Sequence, residues 1–211
     1  MRSKVMLLGC GFLSSHLLTH LIPHVEQFIL VDREKIESVN YDNYILPKHQ
    51  ANKRKVTAMT SLLQMLAECR TTPVHMNIQD EMEIVDLISE HGPDLIIVAF
   101  DNIQARLLAK KAASRTSVPA IHLGVTENYI YVDWNDWVML PDSEERIEAA
   151  EKEMASIRDV CTRLEFRGLG ALAAGAAYHS IVNWINDNNK RLAFMIPIDE
   201  DGTITITTLK R

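Results

Sequence analysis

The 211 residues contain only three cysteines, Cys10, Cys69 and Cys161, and no two of them stand in a C-x-x-C spacing. That excludes a disulfide scaffold and leaves no structural zinc site in view; the usage fits a reducing compartment, and a cytoplasmic location is expected. No apolar stretch nears the roughly 20 residues of a membrane span, so no membrane partner is expected. The start, MRSKVMLLGCGFLSSHLL, is basic and then apolar, but Gly9 and Gly11 break it and no A-x-A site follows, so it reads as part of the fold rather than as a secretory leader. Basic charge is also short: 22 Lys+Arg against 28 Asp+Glu leaves a net charge of −6. That is the wrong sign for coating nucleic acid or an anionic bilayer. Glycine (8) and proline (7) are sparse, and no linker, repeat or low-complexity segment interrupts the chain. The expectation is one domain over residues 1–211, in which 47% hydrophobic residues supply an ample core.

What is present is a regular alternation. Lys4 to Leu8 is a short apolar run ending in Gly-Cys-Gly, and a helical pattern follows through Leu13, Leu17, Leu18 and Leu21. Phe28 to Val31 is apolar throughout, as in a strand covered on both faces, and Asp32 stands at its end. Pro47 is placed to open a helix running through Val56, Met59, Leu62, Leu63 and Leu66, and Val74 to Ile78 then reads as a strand. A helical face at Ile84, Leu87 and Ile88 stops at Gly92-Pro93 before the strand DLIIVAF; a helix from Ile103 to about Arg115 leads to VPAIHLG. This order predicts an α/β fold, a doubly wound, mostly parallel Rossmann-like sheet with helices on both faces. Beyond residue 124 the pattern changes to an antiparallel extension. Tyr129 to Leu140 contains two β-prone pieces around Asn135-Asp136, read as a hairpin or an antiparallel extension, and Asp142 with Glu145 resembles a capping box before a charged helix. GLGALAAGAAYHSIVNW is apolar on nearly all sides, predicting a buried helix, and the tail reads as a hairpin turning at Asp201-Gly202.

Gly9-x-Gly11 between a strand and a helix lets the backbone approach a phosphate while the helix N-terminus faces its charge. Asp32, at the end of the next strand, is placed to accept hydrogen bonds from ribose hydroxyls. The plainer alternative is a structural turn beside a solvated aspartate, but strand, turn, helix, strand and acid all occur in order. Asp101 lies past the end of the central strand, where open α/β sheets bind ligands. It is suited to hold Mg²⁺ beside a triphosphate or, equally, to cap the next helix. Lys55, in the cluster Lys53-Arg54-Lys55, is a phosphate cation or plain surface charge.

These motifs together resemble the ThiF/MoeB/HesA family, bacterial relatives of ubiquitin-activating enzymes, over nearly the whole chain. The family's G-x-G-G-L-G-S is met by GCGFLSS, and L-V-D-x-D-x-V-E-x-S-N-L-x-R-Q by LVDREKIESVNYDNY, with Asp32, Glu34, Ile36, Glu37 and Asn40 in register. The lysine of G-x-x-K-A falls on Lys55, and D-N-x-x-x-R is intact as Asp101, Asn102 and Arg106. The resemblance implies an E1-like, usually dimeric fold that uses ATP and Mg²⁺ to adenylate the C-terminal carboxylate of a ubiquitin-like or other small protein or peptide. It implies phosphate contacts at Gly9 and Gly11, ribose at Asp32 and further nucleotide contacts at Glu34 and Asn102. It puts triphosphate at Asn40 and Lys55, magnesium at Asp101, and catalytic roles on Asp101 and Lys55.

The departures bear on function. The family arginine of N-L-x-R-Q, a triphosphate contact, is replaced by Asn43, and the glutamine by Tyr44. The family's zinc-binding C-x-x-C pairs are absent, and Cys161 stands near the place of its sulfur-carrying cysteine. Three classes follow: an adenylating enzyme, a catalytically impaired E1-like scaffold or partner-binding subunit, and a nicotinamide-dependent oxidoreductase. The last leaves Asn40, Lys55 and Asp101-Asn102 without a role, and the first is the expectation.

Overall fold

A computed structural model describes residues 2–38, 43–126, 128–138, 140–141, 143–157, 167–187, 190–199 and 204–209. The strands and helices alternate as β1 (Ser3–Leu8), α1 (Phe12–Leu21), β2 (Val25–Asp32), α2 (Lys55–Leu66), β3 (Arg70–His75), α3 (Glu81–His91), β4 (Leu95–Val98), α4 (Ile103–Thr116) and β5 (Ala120–Val125). Then come β6 (Tyr129–Trp134), α5 (Glu144–Ile157), α6 (Arg167–Asn186), β7 (Ala193–Pro197) and β8 (Thr207–Leu209). Among the described residues the strands form one eight-stranded sheet in the order β3-β2-β1-β4-β5-β6-β7-β8. Pairing is parallel from β3 through β5 and antiparallel from β5 to β8. The α/β fold class and the antiparallel extension read from the sequence are therefore observed.

Period-two alternation in β1 divides the core. Val5 and Leu7 enter a large cluster under α1, α2 and α6, whereas Met6 and Leu8 enter a smaller one under α3 and α4, and all four are fully buried. Each such side chain contributes about 1.5–3 kcal/mol of burial. Coverage on both faces explains why the central strands read as continuous apolar runs. The chain leaves β1 toward β2 and returns on its other side as β4, so a topological switch point lies between the carboxyl ends of β1 and β4.

Four expectations are adjusted. Pro47 opens no continuous helix: Lys48–Gln50 form a 3-10 turn, Asn52 takes φ +64°, and α2 starts only at Lys55. β3 lies earlier than Val74 to Ile78, because Pro73 sits inside it on the sheet edge, where a missing N–H costs no ladder bond. Of the two readings around Asn135-Asp136 the antiparallel extension is the one observed: among the described residues no hairpin forms there, the Trp134 carbonyl accepts the N–H groups of Trp137 and Val138 in a turn, and β6 pairs antiparallel with β5 and β7. One face of α6 is buried through Gly170, Ala173, Ala174, Ala177 and Ile181 against the sheet and α1, whereas Ala171, Gly175 and His179, on the other side, are exposed. Asp142 of the capping box, Cys161, and Asp201-Gly202 of the tail turn lie outside the described residues.

Candidate functional site

Gly9 occupies the switch point. Its φ of +96° belongs to glycine, and a Cβ there would stand 2.7 Å from the Ala99 carbonyl oxygen, because the backbones leaving β1 and β4 meet at this spot. The Gly9 N–H donates to Val31 O at 2.9 Å, and the Ala99 N–H to Leu8 O at 2.8 Å. Ser14, in place of a third glycine, is buried and turns its hydroxyl back onto Gly9 O at 2.6 Å, so the hydroxyl braces the turn. Gly11 is the N-cap of α1: no side chain caps it, no acid lies in the first turn, and a Cβ on Gly11 would meet nothing within 4 Å. The positive end of α1 thus has no anionic partner of its own in the first turn and has space in front of it, the requirements for an anion site.

Asp32 is buried rather than solvated. Its Oδ2 accepts the Cys10 N–H at 2.7 Å and its Oδ1 the Glu34 N–H at 2.6 Å, so the carboxylate ties the glycine turn to the segment after β2. Burial raises its pKa, against the lowering effects of Lys55 and the two N–H bonds. Cys10 is fully buried beside it, its thiol pushed well up by burial and then by the Asp32 charge.

Lys55 reaches this edge because the connector folds back on itself. Ile36 donates to Lys53 O, Asn52 to Ile36 O, and Lys55 N to Glu34 O at 2.9 Å, which sets the first residue of α2 beside Glu34. The buried Lys55 Nζ lies 2.5 Å from Glu34 Oε2. Burial lowers its pKa, but Tyr44, Asp32 and Glu34 outweigh that and hold it above the ordinary lysine value. The cation is therefore permanent at neutral pH. Asn43 is buried, with its carbonyl oxygen 3.1 Å from His16 Nε2, while the Ile45 N–H donates to Ser15 Oγ at 3.2 Å; residues 43–45 lie over the first two turns of α1. Asn40 is outside the described residues.

Across the switch point, Asn102 rather than Asp101 caps α4, its Oδ1 accepting the Ala105 N–H at 2.7 Å. Asp101 is exposed and makes no hydrogen bond or ion pair among the described residues. The capping alternative thus passes to its neighbour. Arg106, the last residue of the same motif, is buried, donates from Nη2 to Leu123 O at 2.9 Å and covers the Tyr131 ring at 5.5 Å. No cluster of three or more His, Cys, Asp or Glu side chains able to hold a metal occurs among the described residues. No helix among them is long and apolar enough to cross a membrane.

The sequence residues Gly9, Gly11, Asp32, Glu34 and Lys55 are thus brought together around one helix N-terminus, with Asp101 and Asn102 in the segment that joins the neighbouring strand β4 to α4. His16, whose ring meets the Asn43 carbonyl at this edge, was missed by sequence reasoning, since an α1 histidine carries no motif signal.

The family model for the ThiF family matches residues 1–196. The chain belongs to the ThiF family. No curated protein matches it. Solved structures do: Escherichia coli MccB with ATP superposes at a TM-score of 0.74 and 20% identity, covering 99% of this chain and 63% of MccB. The microcin C7 biosynthetic enzyme MccB in complex with N-formylated MccA gives a TM-score of 0.75 at 19% identity, over 99% of this chain and 64% of that one. PaaA gives 0.71 at 17% identity, over 99% and 72%. This ThiF-family chain thus shares their fold and spans about 63% of the length of MccB.

Proposed function

We propose that the chain, acting as a single nucleotide-binding domain over residues 1–211, binds MgATP at the carboxyl edge of β1, β2 and β4. It adenylates the C-terminal carboxylate of a ubiquitin-like or other small protein or peptide. The observation that carries the reading is Asp101: Asn102 has taken the helix cap, leaving an uncommitted carboxylate across the switch point from an uncapped helix N-terminus. One carboxylate is the donor set that suits magnesium, which takes one or two protein carboxylates and fills the rest of its shell with phosphate oxygens and water. Bound there, the ion supplies charge neutralisation along the phosphate chain. The N–H groups at Gly11 and the first turn of α1 face the phosphates, Lys55 offsets negative charge, and the Asp32–Glu34 segment borders the ribose. Attack by a carboxylate on the α-phosphorus brings two anions together, and fixed donors of this kind lower that barrier most when already oriented. ATP in one MccB structure and MccA in another support a nucleotide and a small peptide as the corresponding ligands. A homodimer and a cytoplasmic location complete the proposal.

Pyrophosphate exchange with the acyl protein present tests it. Asp101→Asn keeps the fold and is expected to lower exchange by at least about a hundredfold, the scale of losing a preoriented contribution of roughly 3 kcal/mol. Equal exchange by wild type and variant removes the assignment, and saturable NAD binding without response to MgATP restores the oxidoreductase. Asn43, where the family carries an arginine, favours the scaffold as second reading. Silence in the wild type together with exchange in Asn43→Arg decides for it.

A further inference from the structure

Glu34 is fixed by its backbone and leaves its side chain room to turn. Its N–H donates to Asp32 Oδ1 at 2.6 Å and its carbonyl oxygen accepts the Lys55 N–H at 2.9 Å, which holds the chain in place between β2 and α2. The side chain, by contrast, is 40% exposed, so a change of rotamer can carry the carboxylate toward solvent while the backbone stays. Asp32 has no such latitude: it is buried, and each of its oxygens holds a backbone N–H.

Two cations flank the Glu34 carboxylate. On the inner side the buried Lys55 Nζ donates to Oε2 at 2.5 Å. Burial raises the pKa of Asp32 and of Cys10, and the Lys55 charge opposes it at both, so the ammonium stands close to the glycine turn. On the outer side Arg33 Nε lies 3.9 Å from Oε1, and Arg33 is anchored at the rim by its Nη1 donating to Asn77 Oδ1 at 3.0 Å. The inner contact is a short charge-assisted hydrogen bond, whereas the outer one is an exposed ion pair beyond hydrogen-bond length.

The inner contact stands in the way of a polyphosphate. The Lys55 ammonium has three donors, but a second anion on it would lie beside the Glu34 charge, at an edge where like charges repel more than in water. Phosphate therefore gains Lys55 when Glu34 gives it up, and Arg33 receives the displaced carboxylate opposite a positive charge. We infer that Glu34 is a displaceable gate on the phosphate site, held on Lys55 until a nucleoside polyphosphate takes the ammonium and then turned outward onto Arg33. The inference rests on the nucleotide reading above and adds that the charge of the ligand, as well as its nucleoside, sets affinity. Apparent affinity is then the intrinsic one reduced by the fraction of molecules in which Lys55 is open.

Calorimetric titration of the full chain with MgATP, MgADP and adenosine tests the gate. Glu34→Gln keeps the side-chain shape without the charge and is expected to tighten MgATP about tenfold, the gain if about one molecule in ten has Lys55 open. MgADP should gain less, and adenosine should stay within about twofold. Arg33→Gln removes the outer place and should weaken MgATP about two- to fivefold, the range of an exposed ion pair. In the Glu34→Gln background the same substitution should change nothing, which separates a gate from a general change of surface charge. Glu34→Ala repeats the test if the glutamine variant folds poorly. Weaker MgATP binding by Glu34→Gln, adenosine tightened as much as MgATP, or additive effects in the double variant overturns the gate and leaves the nucleotide reading standing. Wild type that binds none of the three overturns both.

Discussion

Adding one methyl group at Gly9 or at Gly11 separates stability from binding. Gly9→Ala meets a φ of +96° and an oxygen 2.7 Å from the new carbon, and that oxygen belongs to the backbone leaving β4, which has little freedom to retreat. Strain of about 1–2 kcal/mol plus the clash should cost about 3 kcal/mol in urea unfolding. Gly11→Ala meets nothing within 4 Å at a φ of −80°. Its stability should change by less than about 1 kcal/mol, while the methyl occupies the space in front of the α1 N-terminus and MgATP affinity falls. Equal stability loss in both variants would defeat this division. His122 makes the second prediction at this scale. It is fully buried, with its Nε2 3.0 Å from Asn135 Oδ1, and burial, above all, lowers its pKa from 6.5 to about 3. The unfolded chain takes up this proton below pH 6.5, whereas the native protein resists it until about pH 3. The contribution is therefore whole above pH 6.5 and lost as pH falls toward 3, by a few kcal/mol in all. His122→Gln should flatten the acid limb of stability against pH, and an unchanged limb would assign it to other groups. Gly9, Gly11 and Asp32 were legible in the sequence because local order fixes them. The Lys55–Glu34 pair and the buried state of Asp32 were not, since both depend on a connector folding back through hydrogen bonds that no spacing reveals.

At the scale of elements, α4 shows how neighbouring residues divide two tasks. Asn102→Ala removes the bond to the Ala105 N–H and should cost about 1 kcal/mol, read as a shifted denaturation midpoint. Asp101→Ala should leave that midpoint in place. If Asp101→Ala is the more destabilising, the cap has been misassigned. The central elements were readable because period and length agreed: β1, β2, β4 and β5 are short apolar runs bounded by turn residues, and α4 spans Ile103–Thr116 against the sequence reading of Ile103 to about Arg115. β3 was misplaced because its exposed and half-exposed residues around Pro73 carry an edge pattern that resembles a loop. In α6, small size rather than burial on all sides explains the composition, since Gly170 admits Phe12 while Gly175 faces outward.

The whole molecule presents that outward side of α6 with two small residues, Ala171 and Gly175, exposed one turn apart. It is a place where the proposed homodimer would pair. Sedimentation at tens of micromolar, a rough scale at which specific assemblies persist, should return twice the chain mass of 23.9 kDa. A monomer at that concentration counts against the dimer. The alternation of elements made the doubly wound half legible from one end to the other, whereas the continuation of the sheet through β6, β7 and β8 depends on pairing between segments far apart in sequence. The same topology imposes a schedule on synthesis. β1 has β2 on one side and β4 on the other, and the bond from Lys4 N–H to Asp94 Oδ2 spans 90 positions. At about 5–20 residues per second, the second neighbour of β1 reaches the growing chain roughly 5–18 seconds after the first strand has been made. Until then one edge of β1, whose Val5 to Leu8 are fully buried in the finished fold, waits without its partner and is open to mispairing with other chains.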